Sequence, residues 1–307
     1  MEQAVCLLCG VEDERALLRR AKPRHVVCRR CGLVYQNPRP TLEEISAYYQ
    51  QGYWEDRGPI AANGANGAEP IRPASLDRGR FVVEWTQKYI GSVERVVEIG
   101  CGRGEILAYV RDHLNCQALG VEPSRAQATT AAQRFGLEVH NATLDDVDLQ
   151  GRKANALVLS HVVEHFHDPR AALIRCRDLL ADGGWIFVEV PNILEPNRHK
   201  RLSKWLAFEH MYYFSVGTLS RVLAEAGFAV KHTETKAFVR VLAQMQPVVP
   251  KGWAAMPASA NEYRDVLRAL RRHEFIYWPR YAVQRAASLL SRGRAVASSS
   301  AEKDQDD

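Results

Sequence analysis

In the stretch "VVEIGCGRGEI" (96–106), Gly100, Gly102 and Gly104 stand where a short buried strand hands over to a helix. Glycines at such a turn let a ligand approach the backbone, which side chains would prevent. Their spacing is G-x-G-x-G, not the G-x-G-x-x-G of a dinucleotide turn, and Glu98 at the strand end would disfavour a pyrophosphate. The following strand pattern, "ALGVEPS", ends on Glu122, where a carboxylate can accept both hydroxyls of a ribose.

Two other sets of residues could do chemistry. Cys6 and Cys9 form one C-x-x-C knuckle and Cys28 and Cys31 another, a spacing that fits a four-thiolate zinc ribbon. With all four positions thiolate, no site is left open for water, so the zinc is structural. A segment of roughly 35 residues buries too little apolar surface to fold unaided, so the metal supplies the missing stability of a separate folding unit. Of the other cysteines, Cys101 lies inside the glycine turn, while Cys116 and Cys176 read as packing residues. The second set is histidines. His161, His165 and His167 follow one another in "SHVVEHFHD", and Glu209–His210 stands in "FEHMYYF". An imidazole there can serve as a base for an acceptor. His167, beside Asp168, reads as part of a helix cap.

The elements that must position these residues alternate. A helix around 79–90 leads to strand 96–99, helix 104–114, strand 117–121, helix 124–135 and a short strand near 137–140. Strand 155–159, helix 169–180, strand 185–190, helix 216–226 and two closing strands near 228–234 and 237–244 complete the series. Such alternation predicts an α/β fold with a mostly parallel sheet covered by helices on both faces. Ahead of it lie the ribbon (1–40) and a segment (41–78) in which Thr41 and Glu44 open a helix through a capping box. The remainder of that segment, rich in Gly, Ala, Asn and Pro at 58–75, reads as a flexible linker or lid. Behind the catalytic region (79–245) come a basic helical stretch (246–294) and a tail (295–307) whose composition suits disorder.

The glycine turn with Glu98 and the acid Glu122 together resemble the class I S-adenosylmethionine-dependent methyltransferases. The resemblance covers about 79–245 and implies a Rossmann-like sheet with an antiparallel last strand. It also implies that Glu98, Gly100, Cys101, Gly102 and Gly104 form the cofactor turn and that Glu122 binds the ribose. Leu144 and Asp145 in "HNATLDDVDL" then lie beside the adenine, with Ser160 and His161 near the methionine end. The "FEHMYYF" segment is similar to one in zinc-containing sugar C-methyltransferases, which implies a catalytic set of His210, Glu209 and His165. Ala207 stands where those enzymes carry a tyrosine, and the sequence ends without their second α/β domain. The resemblance therefore implies methyl transfer and leaves the acceptor atom open. Tyr53 is placed to cover the cofactor from the N-terminal side.

With 307 residues, 46% hydrophobic, the chain suits one large domain and a small one, and no apolar run reaches the ~18 residues of a membrane span. The first residues lack the basic and apolar regions of a signal peptide, so a cytoplasmic setting with reduced cysteines is expected. A net charge of +5 fits an anionic substrate. The expected acceptor is a small molecule or saccharide, such as a sugar nucleotide or glycan precursor. An RNA methyltransferase is the alternative, favoured by Arg19, Arg20, Lys22, Arg24, Arg29 and Arg30 in the ribbon. A third reading is a cofactor-binding or zinc-mediated interaction protein without catalysis. Residues 264–294 carry eight arginines against two acids, interleaved with aromatics. That pattern fits a helix packed on the core, one lying on anionic lipid, or an electrostatic footing for a phosphorylated substrate.

Overall fold

A computed structural model describes residues 1–18, 24–51, 70–248 and 261–278. Tyr53, most of the expected linker, the basic residues Arg19, Arg20 and Lys22, and the tail lie outside them.

The larger of two sheets realises the alternation read from the sequence. Its strands are β4 (Arg95–Ile99), β5 (Gln117–Val121), β6 (Glu138–His140), β7 (Ala154–Ser160), β8 (Leu180–Pro191), β10 (Phe228–Thr235) and β11 (Phe238–Met245), in the order β10-β11-β8-β7-β4-β5-β6. Strands β4 to β8 run parallel, while β11 pairs antiparallel with both β8 and β10. The strands are rich in Val, Ile and Leu because the sheet is covered on both faces. Val97, Ile99, Leu157 and Leu159 enter one core, and Val96, Ala156 and Val158 enter the other. Successive strands diverge from β4 in opposite directions, so the carboxyl ends of β4, β5 and β7 open a crevice there.

The helices are α2 (Pro73–Trp85), α3 (Glu105–Leu114), α4 (Arg125–Phe135), α5 (Pro169–Leu179) and α7 (Val216–Glu225). Helix α2 begins six residues before the expected position, inside the stretch read as linker. Pro73, at its first turn, has a φ already suited to a helix and needs no amide partner. Asp168 caps α5 by accepting from the amides of Arg170 and Ala171, so the cap belongs to the aspartate and not to His167. At α1 (Leu42–Gln51), Thr41 and Glu44 form the expected reciprocal cap, at 3.2 and 2.9 Å.

The smaller sheet departs from the reading of a separate unit. Its strands β1 (Glu14–Ala16), β2 (His25–Cys28) and β3 (Val34–Gln36) are joined by β9 (Tyr212–Tyr213), which comes after β8 and the short helix α6 (Leu202–Trp205). Tyr35 faces Tyr212 and Val34 faces Tyr213 across that pair. Alternate residues of β2 and β3 therefore enter different cores. Val26, Cys28 and Tyr35 join the core under the large sheet. Val27 and Val34 join a third core with Ile193, Leu202, Tyr213, Val266 and Leu270. Val266 and Leu270 come from a helix at 261–278, here α8, which is the described part of the basic stretch. Glu262 accepts from Ser215 Oγ at 2.9 Å and His273 Nε2 donates to Lys200 O at 3.0 Å, so this helix packs on the protein.

His25, in β2, is 2% exposed. Burial drives its pKa from the ordinary 6.5 down to about 4, against the opposing effect of its bond to the His210 carbonyl. Between those values the unfolded chain holds the proton and the folded chain does not. Stability present above pH 6.5 is therefore lost as pH falls toward 4, by an amount on the order of 3 kcal/mol. Urea unfolding at pH 7.0 and pH 5.0 should show a lower midpoint at pH 5.0, with a smaller drop in His25→Phe. An equal drop in both proteins would contradict this assignment.

Candidate active site

The glycine turn joins β4 to α3 and hooks onto the end of β5, where the amides of Gly100 and Cys101 donate to the Val121 carbonyl at 2.7 and 3.2 Å. Gly100, with φ +68°, could not carry a Cβ, which would lie 2.7 Å from a Val162 methyl. The space beside Gly102 is open, so a side chain there would enter the crevice instead of the core. Cys101 turns its sulfur onto Gly120, leaving only its backbone toward the turn.

Glu122 is 5% exposed and already oriented: Gly102 N donates to Oε2 and Ser124 N to Oε1, each at 2.8 Å. Burial raises its pKa, and these two amides oppose that shift. Glu98 is buried, with Oε2 lacking a hydrogen-bond partner among the described residues, and burial holds its pKa well above the carboxylate range. A buried orphan acceptor beside an open glycine turn and an aligned carboxylate fits a ligand bringing both a cationic donor and a ribose. Leu144 is buried and Asp145 exposed on the loop after β6, which Asn141 ties to the Glu122 carbonyl at 2.9 Å.

Ser160 ends β7, His161 follows it, and both meet a group that the sequence reading missed. Glu189 of β8, fully buried, takes Arg78 Nε at 2.8 Å and Arg240 Nε at 2.5 Å, and Ser160 Oγ donates to it at 3.3 Å. Burial would raise the Glu189 pKa, but His161, Arg78 and Arg240 bring it down to about 2. His161, with φ +58°, has Nδ1 3.2 Å from Glu164 and Nε2 3.3 Å from Glu189. Burial works against charge on this ring, and the two carboxylates outweigh it and raise its pKa. A lone acid in the apolar strand "WIFVEV" was the available signal for Glu189.

A cleft of about 940 Å³ adjoins His161 and is bounded by Trp205, Glu209, His210, Lys236 and Phe238. His165 stands behind Glu209–His210: its Nδ1 donates to the Glu209 carbonyl at 2.9 Å, and its ring meets that of His210 edge-on at 4.7 Å. The structure thus brings His165, Glu209 and His210 together. Burial lowers the pKa of His165, keeping it neutral near pH 7. Potential ligand atoms of Glu164, His165 and His210 lie within 4.8 Å of one another, a donor set that suits a divalent transition metal. Tyr213 does not stand in for the tyrosine replaced by Ala207. It is fully buried, its hydroxyl accepting from Ala207 N at 2.8 Å and donating to Trp205 O at 2.6 Å.

The four N-terminal thiols converge, all within 4.8 Å of one another and with Cys6 and Cys31 sulfurs 3.5 Å apart. Zinc–sulfur bonds of about 2.3 Å in a tetrahedron place sulfurs about 3.8 Å apart, and no disulfide competes for them. Each knuckle closes on its glycine, Gly10 N donating to Cys6 O and Gly32 N to Cys28 O. The donors fit a closed structural zinc centre.

Three outcomes follow from this geometry. Glu122→Ala should weaken S-adenosylhomocysteine binding by ~2 kcal/mol or more, read by calorimetry, because charge-assisted hydrogen bonds are lost. Elemental analysis of gently purified protein should find about one zinc held by the four cysteines. Cys28→Ser should lose that zinc and the turnover while keeping S-adenosylhomocysteine affinity, because β2 supports the 207–213 segment and not the glycine turn. Full turnover in the zinc-free variant would contradict the assignment.

Comparison with known proteins agrees with this geometry. Residues 74–233 match the family described as methyltransferase domain. A curated relative, the ubiquinone biosynthesis O-methyltransferase of Dinoroseobacter shibae, is 33% identical over 95 residues, covering 29% of this chain and 38% of the relative. The enzyme of the same name from Leptothrix cholodnii is 21% identical over 198 residues, covering 58% and 80%. The chain thus spans well under half the length of the first of these relatives. Among solved structures, Burkholderia thailandensis 1,6-didemethyltoxoflavin-N1-methyltransferase, with its acceptor and S-adenosylhomocysteine bound, superposes with a TM-score of 0.51. That match is 15% identical over 76% of this chain and all of the other, a likeness of fold. With the methyltransferase-domain family matched over more than half of the chain, and the glycine turn joining β4 to α3, the chain belongs to the class I S-adenosylmethionine-dependent methyltransferases.

Proposed function

We propose that this protein methylates a small, anionic acceptor of the saccharide class, such as a sugar nucleotide or phosphorylated glycan precursor, with His210 as the acceptor's base. The observation that carries the reading is the cleft itself. Glu209 and His210 line it beside Arg198, Lys200, Lys204 and Lys236. With these four cations and three histidines against the two acids Glu195 and Glu209, the lining carries net positive charge, which favours an acceptor with phosphate or carboxylate groups.

S-Adenosylmethionine supplies an electrophilic methyl group when bound. Glu122 would hold its ribose hydroxyls, and the 98–104 turn would leave room for its amino-acid part. Residues of the cleft orient the acceptor atom in line with the transferred methyl. His210 takes the acceptor's proton, with Glu209 beside it in the cleft and His165 against its ring. Neutral His165 adds no second positive charge next to a base that becomes charged.

The curated relatives are named O-methyltransferases of ubiquinone biosynthesis, which supports a small-molecule acceptor and makes a hydroxyl the first acceptor atom to test. The RNA alternative loses support in the ribbon. Arg24 lies 3.5 Å from Glu14, and Arg29 and Arg30 both flank Asp13, so these cations are partly neutralised.

General-base contributions are typically ~100- to 10,000-fold. His210→Ala should therefore lower turnover at least about 100-fold and leave S-adenosylhomocysteine affinity within about twofold. Near-native turnover would remove His210 from the mechanism and leave His165 as the residue to test. Incubation with labelled S-adenosylmethionine should label a sugar-nucleotide and glycan extract. Label confined to total RNA, or to phenolic quinone precursors, would overturn the acceptor class.

A further inference from the structure

The irregular segment 207–211 carries Glu209 and His210 without ladder or helix hydrogen bonds of its own, yet each of its carbonyls accepts one. Gln36 Nε2 donates to Phe208 O at 2.6 Å and His210 O at 2.9 Å, with Ala207 O at 3.4 Å. The Gln36 backbone amide donates to Met211 O at 2.9 Å. His25 Nε2 adds a second donor to His210 O at 3.1 Å, and His165 Nδ1 serves Glu209 O. Ala207 O also accepts from His210 N at 3.3 Å inside the loop, so three of the five carbonyls, those of Phe208, His210 and Met211, are held chiefly by Gln36 and His25, both in the cysteine-bearing sheet.

Gln36 has no exposed surface, and its orientation is fixed by its partners: only an NH2 group can face several carbonyls. Its reach is unusual for one residue, because its side chain and its own amide together meet carbonyls on both sides of Glu209. A buried polar backbone without partners is costly, so the loop follows the position of these donors.

We infer that Gln36 and His25 are positioning residues of the acceptor site, holding the 207–211 backbone so that the side chains of Glu209 and His210 point into the cleft. Neither touches the acceptor. They act through the loop, and the cysteine-bearing sheet is thereby a working part of the methyl-transfer site. The inference rests on the reading of Glu209–His210 as the acceptor-facing pair.

The test is Gln36→Met, which keeps the volume of the side chain and removes both of its N–H donors. Turnover should fall at least about 30-fold, while S-adenosylhomocysteine affinity stays within about twofold and zinc content is unchanged. The side-chain 1H–15N signals of His210 should shift or broaden, and those of His113, on the far helix α3, should not. Native turnover, or lost turnover with native His210 signals, would overturn the inference. If Gln36→Met fails to bind S-adenosylhomocysteine, His25→Phe carries the test. It removes one of two donors on His210 O and should cost about fivefold in turnover with cofactor affinity kept, and native turnover in it would overturn the inference. His210→Ala, assayed alongside, separates this from the catalytic reading. If that variant stays active the base assignment fails, while the His210 signals in Gln36→Met still report whether the sheet holds the loop.

Discussion

The arrangement depends on satisfying the partly buried, irregular backbone between Ala207 and Met211. A loop cannot use the hydrogen bonds of a regular element if its side chains are to turn into a cleft, so its carbonyls need partners from elsewhere. The protein solves this by bringing donors from another part of the chain, 171 to 185 residues distant in sequence. Pairing of β3 with β9 extends the same join, and the aromatic contact of Tyr213 with His25, at 5.4 Å between rings, adds apolar burial. The cysteine-bearing sheet and the 207–211 loop are therefore joined by side-chain and backbone hydrogen bonds as well as by strand pairing.

Charge is distributed on the same logic. Toward the cofactor turn the chain buries acids: Glu98 with an orphan oxygen, Glu122 held by two amides, and Glu189 ringed by Arg78, Arg240 and His161. Toward the acceptor cleft it presents Arg198, Lys200, Lys204 and Lys236. Helix α8 supports that cleft from behind, where Arg272 meets Glu195 at 2.6 Å and His273 the Lys200 carbonyl.

What could be read from the sequence was local. The glycine turn, Glu122 and the two C-x-x-C knuckles each signal through residue type and short spacing, and the strand–helix alternation fixes the sheet around them. The Glu209–His210 pair and His165 were legible through resemblance, and the structure brings their rings and backbones together. The rest depends on distant pairing. A two-residue strand such as β9 has no periodicity to detect, and Gln36 reads as an ordinary polar residue until its partners arrive from the other end of the fold. The early start of α2 was hidden because Pro, Ala and Ser beside a Gly/Asn-rich stretch have the composition of a loop. The separate ribbon failed as a description because the spacing of four cysteines points to a donor set but not to what its sheet is joined to, here β9.

The central claim is that the N-terminal cysteine-bearing sheet and the 207–211 loop are one structural unit, distinct from the glycine turn. Hydrogen exchange measured by mass spectrometry, with and without a zinc chelator, tests it most directly. The account predicts that peptides covering 25–36 and 207–214 lose protection together on chelation, while those covering 96–122 keep theirs. Peptides at 207–214 that stay protected while 25–36 opens would contradict it.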